Sequence, residues 1–222
     1  MSEISFSRSS VSEYLAEIYE RMLKALGPQG WWPGDTPFEV CVGAVLTQNT
    51  NWTNVEKAIA GLRERDLLEP RAIFELPREM VAAIIRPAGY YNVKASRLRN
   101  FTAFLMEKFG GSLDAMFSLA MEELRSMLLE VNGIGPETAD SILLYAGGYP
   151  SFVVDAYTMR ILKRHDLVFE EAGYDEVRSL FMDSLPEDPV LFNEYHALLV
   201  ALGRNYCRRS RPLCRGCPLD GI

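Results

Sequence analysis

The sequence predicts an all-α protein. Three observations carry that expectation: apolar residues recur at three- and four-residue spacing along most of the chain, no stretch keeps the strict apolar/polar alternation of a half-buried strand, and short polar or glycine-bearing connections separate the periodic segments. At 222 residues and 48% hydrophobic, the chain is long enough for one large domain or two small ones sharing an interface. It has no low-complexity tract and no repeat of fixed period, so function must come from the loops between helices.

The first helix is predicted over 11–26, where Val11, Tyr14, Leu15, Ile18, Tyr19, Met22, Leu23 and Leu26 form one apolar stripe, with Ser9 or Ser10 as cap and Gly27 as stop. Gly27 to Pro37 reads as a linker, and it carries Trp31, Trp32 and Pro33. Further helices are predicted at about 38–47, 52–66, 77–85, 92–108, 121–130, 136–146, 156–165, 174–185 and 189–206. His165 and His196 fall within these patterns without metal-ligand spacing and read as surface or core histidines. In Tyr90–Arg97 the tyrosines suit an ordinary amphipathic helix, and Lys94 and Arg97 are equally suited to that helix or to DNA contact.

No apolar stretch approaches bilayer length and Met1–Ser10 is polar rather than signal-like, so the protein is expected inside the cell, without a membrane partner. The net charge of -7 argues against nucleic acid, because phosphate binding draws on Lys and Arg. Against that, Arg204, Arg208, Arg209, Arg211 and Arg215 fall within twelve positions and make a local positive patch. Three of the four cysteines, Cys207, Cys214 and Cys217, crowd the same stretch, which in a cytosolic protein favours a metal over disulfides.

The most informative segment runs from Leu128 to Asp140. Gly133 and Gly135 are expected to take backbone conformations closed to other residues, Pro136 to start the next helix, and Ile134 to plug the turn between two apolar helices. A tight turn feeding a helix N-terminus is an anion site that a DNA phosphate can occupy without any base being read. About twenty residues on, Asp155 follows the apolar Phe152-Val153-Val154 and precedes a helix. It is either a helix cap, or a carboxylate facing the positive charge that develops on a sugar as its base departs.

The hairpin, the trailing Val-Asp and the C-terminal cysteines together resemble the endonuclease III branch of the helix-hairpin-helix DNA glycosylases, from about Phe38 to the C-terminus. The resemblance implies two helical domains, a six-helix barrel (36–149) and a second domain from both chain ends (1–35 and 150–222), with double-stranded DNA bound between them by a monomer. It implies that Asp155 is the catalytic aspartate. Glu137 stands where members that also cleave the backbone carry lysine, so no amine is available for a Schiff base, and a water-driven glycosylase without AP-lyase activity is expected.

Cys207-x6-Cys214-x2-Cys217 is similar to the family's iron–sulfur loop, which implies a [4Fe-4S] cluster. That pattern continues through five residues to a fourth cysteine, whereas Pro218 to Ile222 supply the five residues only and Cys41 is a poor substitute. Such a loop would order Arg208, Arg209 and Arg211 against phosphate. Gln48 matches the residue that fills the stack vacated by a flipped base. Trp31-Trp32-Pro33, with Gln48-Asn49-Thr50 ahead of Trp52, resembles the 3-methyladenine glycosylases of that branch. The tryptophans are then either buried at the domain interface or walls of a pocket for a cationic purine. A glycosylase for mismatched or oxidised bases and a non-catalytic DNA-binding module are the competing readings. The expected location is cytoplasmic, at the nucleoid in a prokaryote.

Overall fold

The computed structural model describes residues 8–31 and 34–222, and every regular element among them is helical. In chain order these are α1 (Arg8–Leu26), α2 (Pro37–Leu46), α3 (Trp52–Arg63), α4 (Pro70–Glu75), α5 (Arg78–Ile84), a 3-10 turn (Arg86–Ala88), α6 (Tyr91–Phe109), α7 (Leu113–Met116), α8 (Met121–Glu130), α9 (Pro136–Ser141), a π-helical turn (Ile142–Ala146), α10 (Ala156–Arg164), α11 (Tyr174–Ser184) and α12 (Pro189–Asn205). They fall into two compact units. One comprises the described residues up to Trp31 with Pro150–Ile222, the other the described part of Trp32–Tyr149.

Local chemistry sets the helix ends. Thr36 accepts from Glu39 N at 3.2 Å ahead of Pro37, Asn51 accepts from Asn54 N at 3.0 Å ahead of Trp52, and Asp188 accepts from Val190 N at 2.8 Å ahead of Pro189. Each pairing satisfies a donor that the first turn leaves open. The structure departs from the sequence expectation in four places. The first helix is already helical at Arg8, so Ser9 and Ser10 lie within it rather than before it. The helix expected to reach residue 66 stops at Arg63, because Asp66 is left-handed (φ 55°) and Leu67 N–H turns back to Leu62 O at 3.0 Å. The short α4 and α7 have too few turns to show a period. The helix expected over 136–146 changes character at Ile142, where Gly147 N–H reaches back five residues to the Ile142 carbonyl.

In the unit spanning 34–149, α2 is apolar nearly all round and is buried by its neighbours α3, α6, α9 and the π turn. Cys41 lies in this core, where burial pushes its thiol far up, so it is a packing residue. Helix α6 packs against α4 and α5 and buries Leu98, Phe101 and Leu105, each worth about 1.5–3 kcal/mol of transfer free energy.

The other unit is built on Phe152. Its ring stacks on Phe181 (centroids 3.7 Å apart) and meets Phe192 and Tyr195 edge-on, while the Tyr195 hydroxyl donates to the Leu15 carbonyl at 2.9 Å. Ser151, Phe152, Val153 and Val154 are all buried, so the segment that leads into Asp155 is fixed by the core. Gly203 lets α12 approach α10 closely, since a methyl there would run into the Tyr157 ring.

Candidate active site

Asp155 is the N-cap of α10, and one of its oxygens is fully engaged there. Oδ1 accepts from Tyr157 N at 2.9 Å, Thr158 N at 2.8 Å and Thr158 Oγ1 at 3.0 Å. Oδ2 faces His196 Nε2 of α12 at 3.7 Å. The side chain keeps 14% of its surface exposed, so the carboxylate is nearly buried yet reachable. Burial alone pushes the carboxyl up, but His196 and the Thr158 donors together outweigh it and leave Asp155 below its ordinary range. The cap and the candidate catalytic group are therefore the same residue. His196 and the donors of the cap together favour its charged form.

Trp31 is half-buried and stacks on the His196 imidazole, with centroids 5.5 Å apart and planes within 14°. His196 thus contacts both Trp31, through its ring face, and Asp155, through Nε2. Sequence reading missed His196, because forty-one positions separate it from Asp155 and only tertiary packing joins them. Trp32 and Pro33, also expected in the pocket, lie outside the described residues. Trp52 opens α3 and lies against Gly43 of α2, where a methyl would meet its indole at 3.3 Å, so part of its ring packs on the core of its own unit.

The hairpin joins α8 to α9. Gly133 is left-handed (φ +95°), and a methyl there would run into Arg97, whose aliphatic stem lies against it. Gly135 is different. Its backbone is extended (φ -95°, ψ 177°) and open to any residue, which corrects the expectation that both glycines are conformationally required. Nothing lies near its missing Cβ, so a smooth approach for an anion is the property it offers. Ile134 is buried with Leu128, Val131 and Ala139, as a plug should be. Asn100 Nδ2 donates to the Asn132 carbonyl at 2.8 Å, and Arg125 grips both oxygens of the wholly buried Asp140 at 2.9 and 3.1 Å, stapling α8 to α9. Glu137 is exposed in the first turn of α9.

Gln48 is half-buried and tied to this hairpin, its Nε2 donating to Gly133 O at 3.2 Å and Thr138 Oγ1 at 2.8 Å. Lys94 is not a surface contact. It is buried, with Nζ donating to Leu46 O at 2.9 Å and Ala88 O at 2.7 Å, and burial, with Arg97 nearby, lowers its pKa. It clamps the end of α2, two residues before Gln48. Tyr90, just ahead of α6, is 72% exposed in a left-handed conformation (φ 44°), an aromatic displayed at the cost of backbone strain.

Cys207, Cys214 and Cys217 line one cavity of about 250 Å³, with Arg164, His165 and Asp220 on its wall. Arg164 donates to Cys207 Sγ at 3.2 Å and to the Arg208 and Arg209 carbonyls at 2.8 and 2.9 Å, and Arg160 donates to Cys207 O at 2.8 Å. Burial raises the Cys217 thiol, with Cys207, Cys214 and Asp220 adding to the rise. Three cysteines on the wall of one cavity are the residues that could hold a cluster, although among the described residues no three of His, Cys, Asp and Glu converge on a single metal-ion position. Arg208, Arg209 and Arg211 are exposed on this loop.

Residues 42–187 match the family model described as HhH-GPD superfamily base excision DNA repair protein. The chain is 47% identical over 208 residues to a Methanocaldococcus jannaschii protein provisionally assigned as a DNA repair glycosylase, covering 93% of this chain and 94% of that one. It is 30% identical over 188 residues to endonuclease III of Thermotoga maritima, covering 82% and 79%. Among solved structures it is similar to the Helicobacter pylori 3-methyladenine DNA glycosylase bound to 1,N6-ethenoadenine, with a TM-score of 0.73 and 30% identity over 87% of this chain and 97% of that one. A trapped endonuclease III–DNA intermediate gives a TM-score of 0.80 at 24% identity over 94% and 93%, a likeness of fold.

Proposed function

The chain belongs to the HhH-GPD superfamily of base excision DNA repair proteins and is a DNA glycosylase acting on double-stranded DNA, and from that premise we propose that it is monofunctional and releases alkylated purines such as 3-methyladenine. The observation that carries the proposal is the state of Asp155: Oδ1 locked by three donors, Oδ2 left as the reactive oxygen, and the carboxyl held below its ordinary range. An ionised carboxylate so fixed stabilises the positive charge that grows on the sugar as the N-glycosidic bond breaks and its electron pair leaves with the base. Water then bonds to the sugar carbon and gives its proton to Asp155. A cationic purine departs neutral, so forceful protonation of the leaving group is unnecessary.

Absence of lyase chemistry rests on Glu137, whose carboxylate cannot form a Schiff base. Borohydride added during turnover is expected to trap no enzyme–DNA adduct. A trapped adduct would end the monofunctional reading.

The purine preference rests on Trp31. The stack on His196 holds its electron-rich indole beside Asp155, and a cationic base against an indole gains about 0.5–2 kcal/mol. The similarity to the Helicobacter pylori 3-methyladenine DNA glycosylase bound to 1,N6-ethenoadenine supports a purine substrate. Duplex contact is assigned to the hairpin at Gly133–Gly135 and to Arg208, Arg209 and Arg211. Gln48 enters the vacated stack only by giving up its two hairpin bonds.

For the cysteine loop we infer a [4Fe-4S] cluster held by Cys207, Cys214 and Cys217, with its fourth ligand supplied by something other than a cysteine within 218–222. When bound, the cluster orders the arginine loop. Iron and acid-labile sulfide in the purified protein, lost in Cys214→Ala, are expected; zinc without iron would refute the assignment.

A further inference from the structure

His196 is a buried histidine on α12, and neither the helix pattern nor the hairpin accounts for it. Its ring is fixed in two ways. Trp31 stacks on one face within 14° of parallel, and Nε2 points at Asp155 Oδ2 from 3.7 Å. A histidine nitrogen that faces a carboxylate oxygen favours the charged carboxylate when that nitrogen bears the proton. The other carboxylate oxygen is occupied by Tyr157 and Thr158, so His196 borders the one oxygen free to act.

We propose that His196 is a positioning residue for base release: it holds Asp155 Oδ2 in its working orientation and keeps the carboxylate ionised, while the Trp31 stack fixes the imidazole. This rests on Asp155 being the reacting carboxylate. The charged and titratable groups of α10 are Asp155 at its N-cap, Tyr157, Arg160, whose guanidinium is bound to the Cys207 and Gly203 carbonyls, Lys163, which donates to the Glu170 carbonyl, and Arg164, which donates to Cys207 Sγ and to the Arg208 and Arg209 carbonyls. Among those of α1 and α12, Tyr19 packs on Tyr195, Arg21 pairs with Glu17, and Glu194 accepts from the backbone N–H groups of Gln29 and Gly30. Asp155 lies at ion-pair distance from the imidazole.

The sign follows directly. A partner that favours the charged carboxylate lowers its pKa, so removing that partner raises it and leaves less carboxylate at mildly acidic pH. A merely structural loss would instead scale the rate equally at every pH.

The test uses the full chain and two readouts. The first is the pH titration of the Asp155 carboxyl carbon by NMR, its resonance identified by its loss in Asp155→Asn. The midpoint is expected to rise in His196→Phe, and by less in His196→Gln, whose amide can still donate towards Oδ2. The second is single-turnover release of methylated purine from methylated duplex DNA, whose acid limb should move to higher pH by the same amount. If the carboxyl midpoint is the same in all three proteins, the proposal is overturned, whatever the rates. If Asp155→Asn still releases base, the reading of Asp155 falls instead, and the carboxyl titration still decides whether His196 tunes it. Melting temperatures of both variants guard against misfolding, and the Gln variant keeps the test open if Phe fails to fold.

Discussion

Replacing Asp140 with Ala removes half of a buried ion pair. Asp140 has no exposed surface and spends both oxygens on Arg125, at 2.9 and 3.1 Å, while the Arg125 side chain keeps 11% of its own exposure. Deleting one member of a fully buried pair costs about 3–5 kcal/mol, because the remaining charge loses its bidentate partner. The residual exposure of Arg125 allows some hydration, so roughly 2–4 kcal/mol is the expectation here. For a chain of this size that is a fall in melting temperature of roughly 5–15 °C. Arg125→Ala with Asp140→Ala should lose less than the sum of the single changes, by about 1–3 kcal/mol. Because the pair staples the two helices of the hairpin, duplex affinity should fall with stability. Urea melts of the four proteins, read beside abasic-duplex binding, make the check. An Asp140→Ala protein as stable as the parent would refute the staple.

The two hairpin glycines should behave oppositely. Gly133→Ala meets both a left-handed backbone and Arg97 and should destabilise the fold, whereas Gly135→Ala should leave the melting temperature unchanged and weaken duplex binding, because only a phosphate needs that space. Lys94→Met keeps the aliphatic stem but leaves the Leu46 and Ala88 carbonyls without their donor, a loss of about 1–3 kcal/mol by thermal melt. Trp31→Ala should cut excision of methylated purines by roughly 5- to 150-fold, the equivalent of about 1–3 kcal/mol of stacking, with little change in abasic-duplex affinity. Trp52→Ala should cost stability first, since part of its ring packs on Gly43.

Features legible in the sequence were those written in short-range chemistry. Gly133, Ile134 and Pro136 lie within four positions, so turn, plug and helix start could be read together, and the Val-Asp step before α10 marked a cap whose carboxylate is now seen with its donors. Long helices such as α6 and α12 declared themselves by period. Short ones did not. Neither α4 nor α7 is long enough to repeat a stripe, and the π turn after α9 has the composition of ordinary helix. Contacts between distant positions were beyond reach: His196 beside Asp155, Gln48 bonded to the hairpin, and Lys94 folded inward to two carbonyls rather than outward to phosphate. Gly135 shows the opposite limit. Its glycine invites a conformational reading that its extended backbone does not need.

The central claim is tested most directly by base release from a panel of duplexes, each carrying one lesion, with the parent protein and Asp155→Asn side by side. The panel holds methylated purines, uracil, thymine opposite guanine, oxidised pyrimidines and adenine opposite oxidised guanine. The account predicts that methylated purines are released fastest by the parent, leaving an unbroken strand. It predicts that Asp155→Asn slows release by about a thousandfold or more, with abasic-duplex binding intact, because the substitution removes charge while keeping shape. Near-parent turnover by Asp155→Asn would contradict the assignment of the catalytic carboxylate, and preferential release of a pyrimidine or a mismatched base would contradict the alkylated-purine reading.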